Sequence, residues 1–316
     1  MIKKIISIFL AFIFLFSALP SCNDTTGEES TPETTLLVPE TSAEMPEETV
    51  LHSFYTKRTG YKEGYVVLHP LEGSKIAEKW HRIYVANYSD GEPCPRPMEN
   101  EIIEIAYSGE IEAMPETPDD PPGYTIGYIK EVHSMKIKVE PRKYNGINYG
   151  FAVLEKSGAS GEILEKLGGT AIEENQQFGK RIEGIILATN RDKLIYLADN
   201  CIIGKRTSTS PNETEQMKEN KERYNQRYRL LDGYDEAFFN ENDLVMISIW
   251  AGSGSMRFDV TDIAIDSGIC TLTVEITEMP ITEDIKTWTL LVSIPKEVSA
   301  TITEYKTYTP KPSWEK

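Results

Sequence analysis

The chain has 316 residues, with 33 Lys and Arg against 50 Asp and Glu, for a formal charge of −17 at pH 7. That surplus of acid excludes a nucleic-acid binder and a protein that lies flat on an anionic bilayer. Hydrophobic residues at 40% and aromatic residues at 9% are those of a folded globular protein, long enough for about two domains.

Lys3 and Lys4 precede an apolar run from Ile5 to Leu19. Roughly 15 residues is short of the ~20 that a helix needs to cross the hydrocarbon core, so residues 1–21 read as a signal peptide. Leu19, Ser21 and Cys22, followed by polar Asn23 and Asp24, resemble a bacterial lipobox, from which Pro20 departs. The resemblance implies cleavage before Cys22 and membrane attachment through a diacylglycerol on its sulfur; the competing reading is an ordinary secretory signal with Cys22 incidental. Loss of Lys3 and Lys4 moves the formal charge from −17 to −19.

Residues 22–50 are rich in Thr, Glu, Ser and Pro and carry no Lys or Arg. Such a segment cannot bury enough apolar surface to offset its ordering entropy, and about 28 residues of coil reach roughly 30 Å. A disordered tether is expected.

From 51 to 141 the pattern is short and β-rich, with strand candidates in GYVVLHP, HRIYVANY, NEIIEIAYSGEIEAM, YTIGYIKEV and MKIKVEP. Gly, Pro and Asp clusters fall between them, and Ser108 and Gly109 sit where a two-residue hairpin turn belongs. About five such strands suggest a small closed barrel or curled sheet of OB type. NEIIEIAYSGEIEAMP resembles the end of small OB-like modules in lipoproteins of low-GC Gram-positive bacteria.

Residues 142–184 read as a connector, with one strand in GFAVLEKS and a short helix in SGEILEKLGG that Gly168 and Gly169 would stop. The region 185–308 opens with a short helix in RDKLIYLADN. A longer helix follows over 212–231, capped by Asn212 and with Met217, Tyr224, Tyr228 and Leu231 as a narrow apolar stripe. DLVMISIW is apolar on both faces, whereas CTLTVEIT alternates strictly, with Cys270, Leu272, Val274 and Ile276 on one side. TWTLLVSIP repeats the alternation with Trp288, Leu290, Val292 and Ile294. With MRFDVTDIAI and SATITEYKTY this makes about five mainly antiparallel strands with helices on one side, then a tail over 309–316. The fold class is α+β or mainly β.

The segment YDEAFFNENDLVMISIWAGSGSMRFDVTDI, continued by LTVEITEMP and WTLLVSIPK, resembles the PrcB C-terminal domain family, named after a lipoprotein subunit of a spirochaete surface protease complex. The likeness covers roughly 185–305. This chain has Ser253, Gly254, Ser255 and Met256 where members often carry Thr-Gly-Gly-Tyr, and Phe258 where close relatives often have His. The resemblance supplies no catalytic residues and implies an accessory or binding subunit at the cell surface.

Taken by itself, AGSGSMR does not make a phosphate cradle, because it leads into a strand, nor a nucleophile elbow, because Ala251 stands two places before Ser253. It reads as a turn in which Gly252 and Gly254 supply positive φ, or as an exposed recognition loop of Gly252, Ser253, Gly254, Ser255 and Arg257, with the guanidinium as an anchor for a partner's carboxylate. His52, His69, His81 and His133 are isolated, Asp119 and Asp120 lack calcium-loop spacing, and Trp250, Trp288 and Tyr305 fall at or near inward strand positions. Cys94, Cys201 and Cys270 form no CxxC pattern, and a Cys94–Cys201 bridge stays open. No catalytic set, cofactor or metal site is expected. Two functions lead: a lipid-anchored accessory protein that contacts a surface protein partner, stabilising a surface protease or envelope complex, or a ligand- or glycan-binding lipoprotein with a cleft between two domains; an enzyme, which would need acids or a Ser/His pair converging in a cleft, is the third option.

Overall fold

The computed structural model describes residues 51–62, 65–85, 94–95, 97–115, 121–172, 179–202, 214–215, 217–218 and 226–315. Cys22, the segments expected to be a signal peptide and a tether, Asp119, Asp120 and Asn212 lie outside them. Glu48–Lys316 is one compact unit.

Seven strands make the first sheet: β1 (Leu51–Lys62), β2 (Tyr65–Pro70), β3 (Arg82–Val85), β4 (Ile102–Ser108), β5 (Glu112–Met114), β6 (Ile126–Ile129) and β7 (Glu131–Ile137). Their order is β5-β6-β3-β2-β1-β4-β7, so β5 and β7 are edges and no closed barrel forms among the described residues. A short helix, α1 (Lys75–Lys79), joins β2 to β3; the Ser74 hydroxyl caps it by accepting the Ala77 N–H at 3.2 Å. The expected hairpin at Ser108 and Gly109 is not made. Both edges of β4 are already paired, to β1 and to β7, so the chain after Gly109 crosses to the far side and pairs β5 with β6.

The second sheet has six strands in the order β10-β11-β12-β15-β9-β8: β8 (Glu140–Tyr144), β9 (Ile147–Glu155), β10 (Thr170–Ala171), β11 (Lys180–Ala188), β12 (Asn242–Ala251) and β15 (Lys286–Pro295). Asn145 at φ 48° and Gly146 at φ 81° close the β8–β9 hairpin in the conformation that Asn-Gly favours. The sheet therefore begins ahead of residue 142, and the 142–184 segment contributes β9, an inner strand between β15 and β8. The third sheet, in the order β13-β14-β16, holds β13 (Arg257–Asp266), β14 (Ile269–Glu278) and β16 (Glu304–Tyr308), the last parallel to β14.

The five strands expected in one C-terminal sheet thus divide between two layers, and their sequences say why. β12 and β15 are buried along nearly their whole length, so they belong in a middle layer; β14 alternates buried and half-exposed residues, as an outer layer must. On one face, Val245, Ile247 and Ile249 with Trp288, Leu290 and Val292 pack against Val260, Ile263, Leu272 and Val274. On the other face, Leu244, Met246, Leu291 and Leu154 share one continuous core with the inner face of the first sheet, including Leu68, Ile83, Ile105 and Met135. Each fully buried aliphatic side chain contributes about 1.5–3 kcal/mol.

Helices cover that same second face. They are α2 (Gly161–Lys166), α3 (Arg191–Leu197) and α4 (Glu236–Glu241), with α5 (Lys296–Ser299) following β15. The Gly168 N–H bonds the Glu165 carbonyl at 3.0 Å and the Gly169 N–H that of Leu164 at 2.8 Å, with Gly168 at φ 83°: the expected glycine stop of α2. Of the long helix expected over 212–231, the described residues are 214–215, 217–218 and 226–231. Gln226–Leu231 is a 3-10 helix there, with Leu230 and Leu231 buried in the first core and Met217 exposed. The C-terminal segment folds back, with Trp314 against the second core and Thr309 accepting a bond from the buried Lys180 ammonium at 2.8 Å. Among the described residues no helix is long and apolar enough to cross a membrane.

Candidate functional site

The loop Gly252–Met256 connects β12 to β13, and the strand that follows it is fixed by alternation, so the loop has no helix to open. Met256 is fully buried in the second core and Ser253 is 2% exposed, so the turn is pinned at both positions. Its polar atoms are then spent on the segment after β14. The Ser253 Oγ accepts the Thr282 N–H at 3.1 Å and lies 2.9 Å from the Ser255 Oγ. The Ser255 Oγ accepts the Ile281 N–H at 2.8 Å and donates to the Met279 carbonyl at 3.2 Å. The Gly254 N–H donates to Asp284 Oδ1 at 3.0 Å, and the Ser255 N–H to the Thr282 hydroxyl at 3.1 Å. A hydroxyl bond from Thr282 and the Gly254 N–H together hold the Asp284 carboxyl below its ordinary range.

The glycines act differently from the expectation. Neither Gly252 nor Gly254 has positive φ. What excludes a side chain at Gly254 is steric: a Cβ there would stand 2.1 Å from Asp284 Oδ2. Gly252 donates its N–H to the Gly179 carbonyl at 2.7 Å and packs near the Trp250 ring.

Arg257 turns back onto its own loop. Its Nη1 donates to the Gly254 and Met256 carbonyls at 2.9 and 2.8 Å, Glu278 lies 3.9 Å from Nε, and the guanidinium stands over Trp288 at 5.4 Å. It stiffens the turn from within.

Two loops are thereby joined into one rigid platform whose outer surface sequence reasoning missed. Every residue from Thr277 to Ile285 is exposed, and Met279, Ile281 and Ile285 are 50%, 79% and 64% exposed. Glu278, Glu283 and Asp284 flank them. The available signal was EMPITEDI itself, whose isoleucines stand in a Pro- and acid-bearing stretch with no strand alternation to bury them.

Elsewhere the polar chemistry serves the frame. Cys94 and Cys270 are free and buried, so the Cys94–Cys201 bridge is not formed; burial pushes their thiols up to about 12 and about 11. His81 stacks on Tyr124 at 4.5 Å and shares its Nδ1 with Thr125, and His52 lies 5.5 Å from the Tyr107 ring. Trp288 is 1% exposed and belongs to the core. Among the described residues no group of three or more His, Cys, Asp or Glu could hold a metal ion.

No protein-family model matches the chain, and no curated protein or solved structure matches it either.

Proposed function

We propose that this is a lipid-anchored, extracytoplasmic accessory protein that binds a surface protein partner and thereby stabilises a surface protease or envelope complex. The observation that carries the contact is the platform of residues 252–257 and 278–285, held by at least six hydrogen bonds and offering Met279, Ile281 and Ile285 to solvent. A preformed apolar edge lowers the ordering cost of binding, and burying an isoleucine fully contributes about 1.5–3 kcal/mol before the costs of association are subtracted. Glu278, Glu283 and Asp284 around it select a partner whose apolar depression is rimmed by Lys or Arg.

The anchor rests on the lipobox at Cys22 and the acidic segment after it; the likeness to the PrcB C-terminal domain, and to OB-type modules in the N-terminal half, belongs to the same proposal. Intact mass and membrane fractionation of the wild type beside Cys22→Ala, in a Gram-positive host, test it. A diacylglycerol mass increment lost in the variant, with release into the medium, is expected. An unmodified chain cleaved elsewhere contradicts the anchor.

A further inference from the structure

A cavity of about 210 Å³ opens where the first sheet meets the other two, walled by Ile102 and Ile137 on one side and by Phe151, Val153 and Phe258 on the other. A more open trough of about 630 Å³ continues from it, sharing Asn100 and Ile102 and flanked by Glu72 and Glu99.

The charges at the cavity are unequally occupied. Arg142 donates to Asp259, to the Val260 carbonyl at 3.1 Å and to Glu140 at 3.0 Å, and it lies over the Phe151 ring at 4.3 Å. One guanidinium therefore answers both carboxylates. Lys138 is different: its ammonium is 3.9 Å from Glu140 and 4.8 Å from the Tyr55 ring centroid, within ion-pair range but beyond hydrogen-bond distance. Among the described residues it has no hydrogen-bond acceptor. Asn100 gives both its backbone and side-chain N–H groups to Glu155, at 3.0 and 2.7 Å, which leaves its side-chain carbonyl as an acceptor where cavity and trough meet.

We propose that this groove binds a carboxylate carried on a compact apolar body: the body fills the cavity, Lys138 takes the carboxylate, and the adjoining chain crosses Asn100 into the trough. The last residue of a polypeptide with a free C-terminus has this chemistry, as does a free branched carboxylic acid. The cavity is smaller than the ~300–1,000 Å³ of drug-sized sites, so it takes one residue and not a nucleotide or disaccharide. A saccharide also lacks its usual stacking platform, since Arg142 covers Phe151 and Phe258 is 5% exposed. The trough favours a continuing chain, and Glu72 and Glu99 outnumber Lys57 on its walls, which favours a basic residue over an acidic one within it.

The test titrates the intact protein, by calorimetry at low salt, with acetyl-Ala-Lys-Ala-Lys-Leu as the free acid, with its C-terminal amide and with 4-methylpentanoate. The free acid is expected to bind about tenfold or more tightly than the amide, and Lys138→Gln to weaken the acid by a similar factor and erase the difference. Lys138 follows the last residue of β7 with its side chain 26% exposed, and circular dichroism of the variant verifies its fold. Peptide tighter than 4-methylpentanoate identifies a chain terminus as the source; equal affinities identify a free acid and retain the carboxylate site. Equal binding of acid and amide, indifference to Lys138→Gln, or no binding of any probe at millimolar concentration overturns the proposal. Ile281→Asp leaves this binding unchanged, so the groove and the loop platform fail separately.

Discussion

Arg227 meets Glu101 across 126 residues of chain, at a point where their side chains are 1% and 0% exposed. Glu101 stands just before β4, Arg227 in the 3-10 turn before α4, and the Glu101 carboxylate also accepts the backbone N–H groups of Met98 at 2.6 Å and Glu155 at 2.9 Å. Glu155 extends the cluster through Lys286 at 2.7 Å. The first and second sheets are thus joined by polar bonds as well as by their shared core.

Removing one partner of such a pair leaves the other buried and uncompensated. Arg227→Met is expected to cost about 3–5 kcal/mol in urea denaturation, whereas the exposed pair Lys166 and Glu162 should contribute less than about 1 kcal/mol when broken. A loss at Arg227 no larger than that at Lys166 would show that this cluster does not hold the sheets.

The same cluster sets a pH dependence. Burial by itself raises the Glu155 carboxyl, but bonds from Lys286 and Asn100 outweigh it and hold it below its ordinary 4.5. A carboxyl depressed on folding contributes stability that is present above 4.5 and is lost as pH falls through the lower folded value. Glu101 runs the other way, because burial raises it against the pull of Arg227. Glu155→Gln is therefore expected to lower the melting temperature at neutral pH and to flatten its fall below pH 4.5. An unchanged acid limb would contradict the assignment.

Gly254 gives a prediction about the platform. Gly254→Ala drives a Cβ into the Asp284 carboxylate and is expected to cost about 1–3 kcal/mol. Asp284→Ala should recover part of that loss in the double variant, because it removes the clashing atoms. Additive losses in thermal denaturation would mean that the glycine serves something other than this approach.

Much of this arrangement was legible in the residues and some was not. Alternation in β14 and β15 named the inward faces: Cys270, Leu272, Val274, Ile276 and Trp288, Leu290, Val292, Ile294 all lie in the second core. The two-faced burial of β12 was equally plain. What alternation cannot express is which strands share a sheet, since β12 and β15 pair across 34 intervening residues that form a separate layer. β1 escaped notice because its inward positions include Phe54 and Thr56, and the Thr56 hydroxyl is buried by bonding the His69 carbonyl at 2.6 Å. Asn145–Gly146 carries a hairpin signal in the sequence itself, and the turn it makes joins β8 to β9. At the candidate site, the GSGS motif was visible, but its partner loop is 24–30 residues away in sequence and meets it only because β13 and β14 form a hairpin.

The buried thiols give a further check. Native protein at pH 8 should leave Cys94 and Cys270 unalkylated by iodoacetamide, read residue by residue by mass spectrometry, and both should react fully in urea. Rapid native labelling of either would place it outside the core.

The most direct measurement is quantitative co-purification from solubilised membranes of the wild type beside Ile281→Asp, with both variants anchored and folded to the same extent. A partner protein is expected to be enriched with the wild type and reduced about tenfold or more by the buried charge in the variant. Equal recovery with both, or no partner above background where a known membrane complex survives, would contradict it.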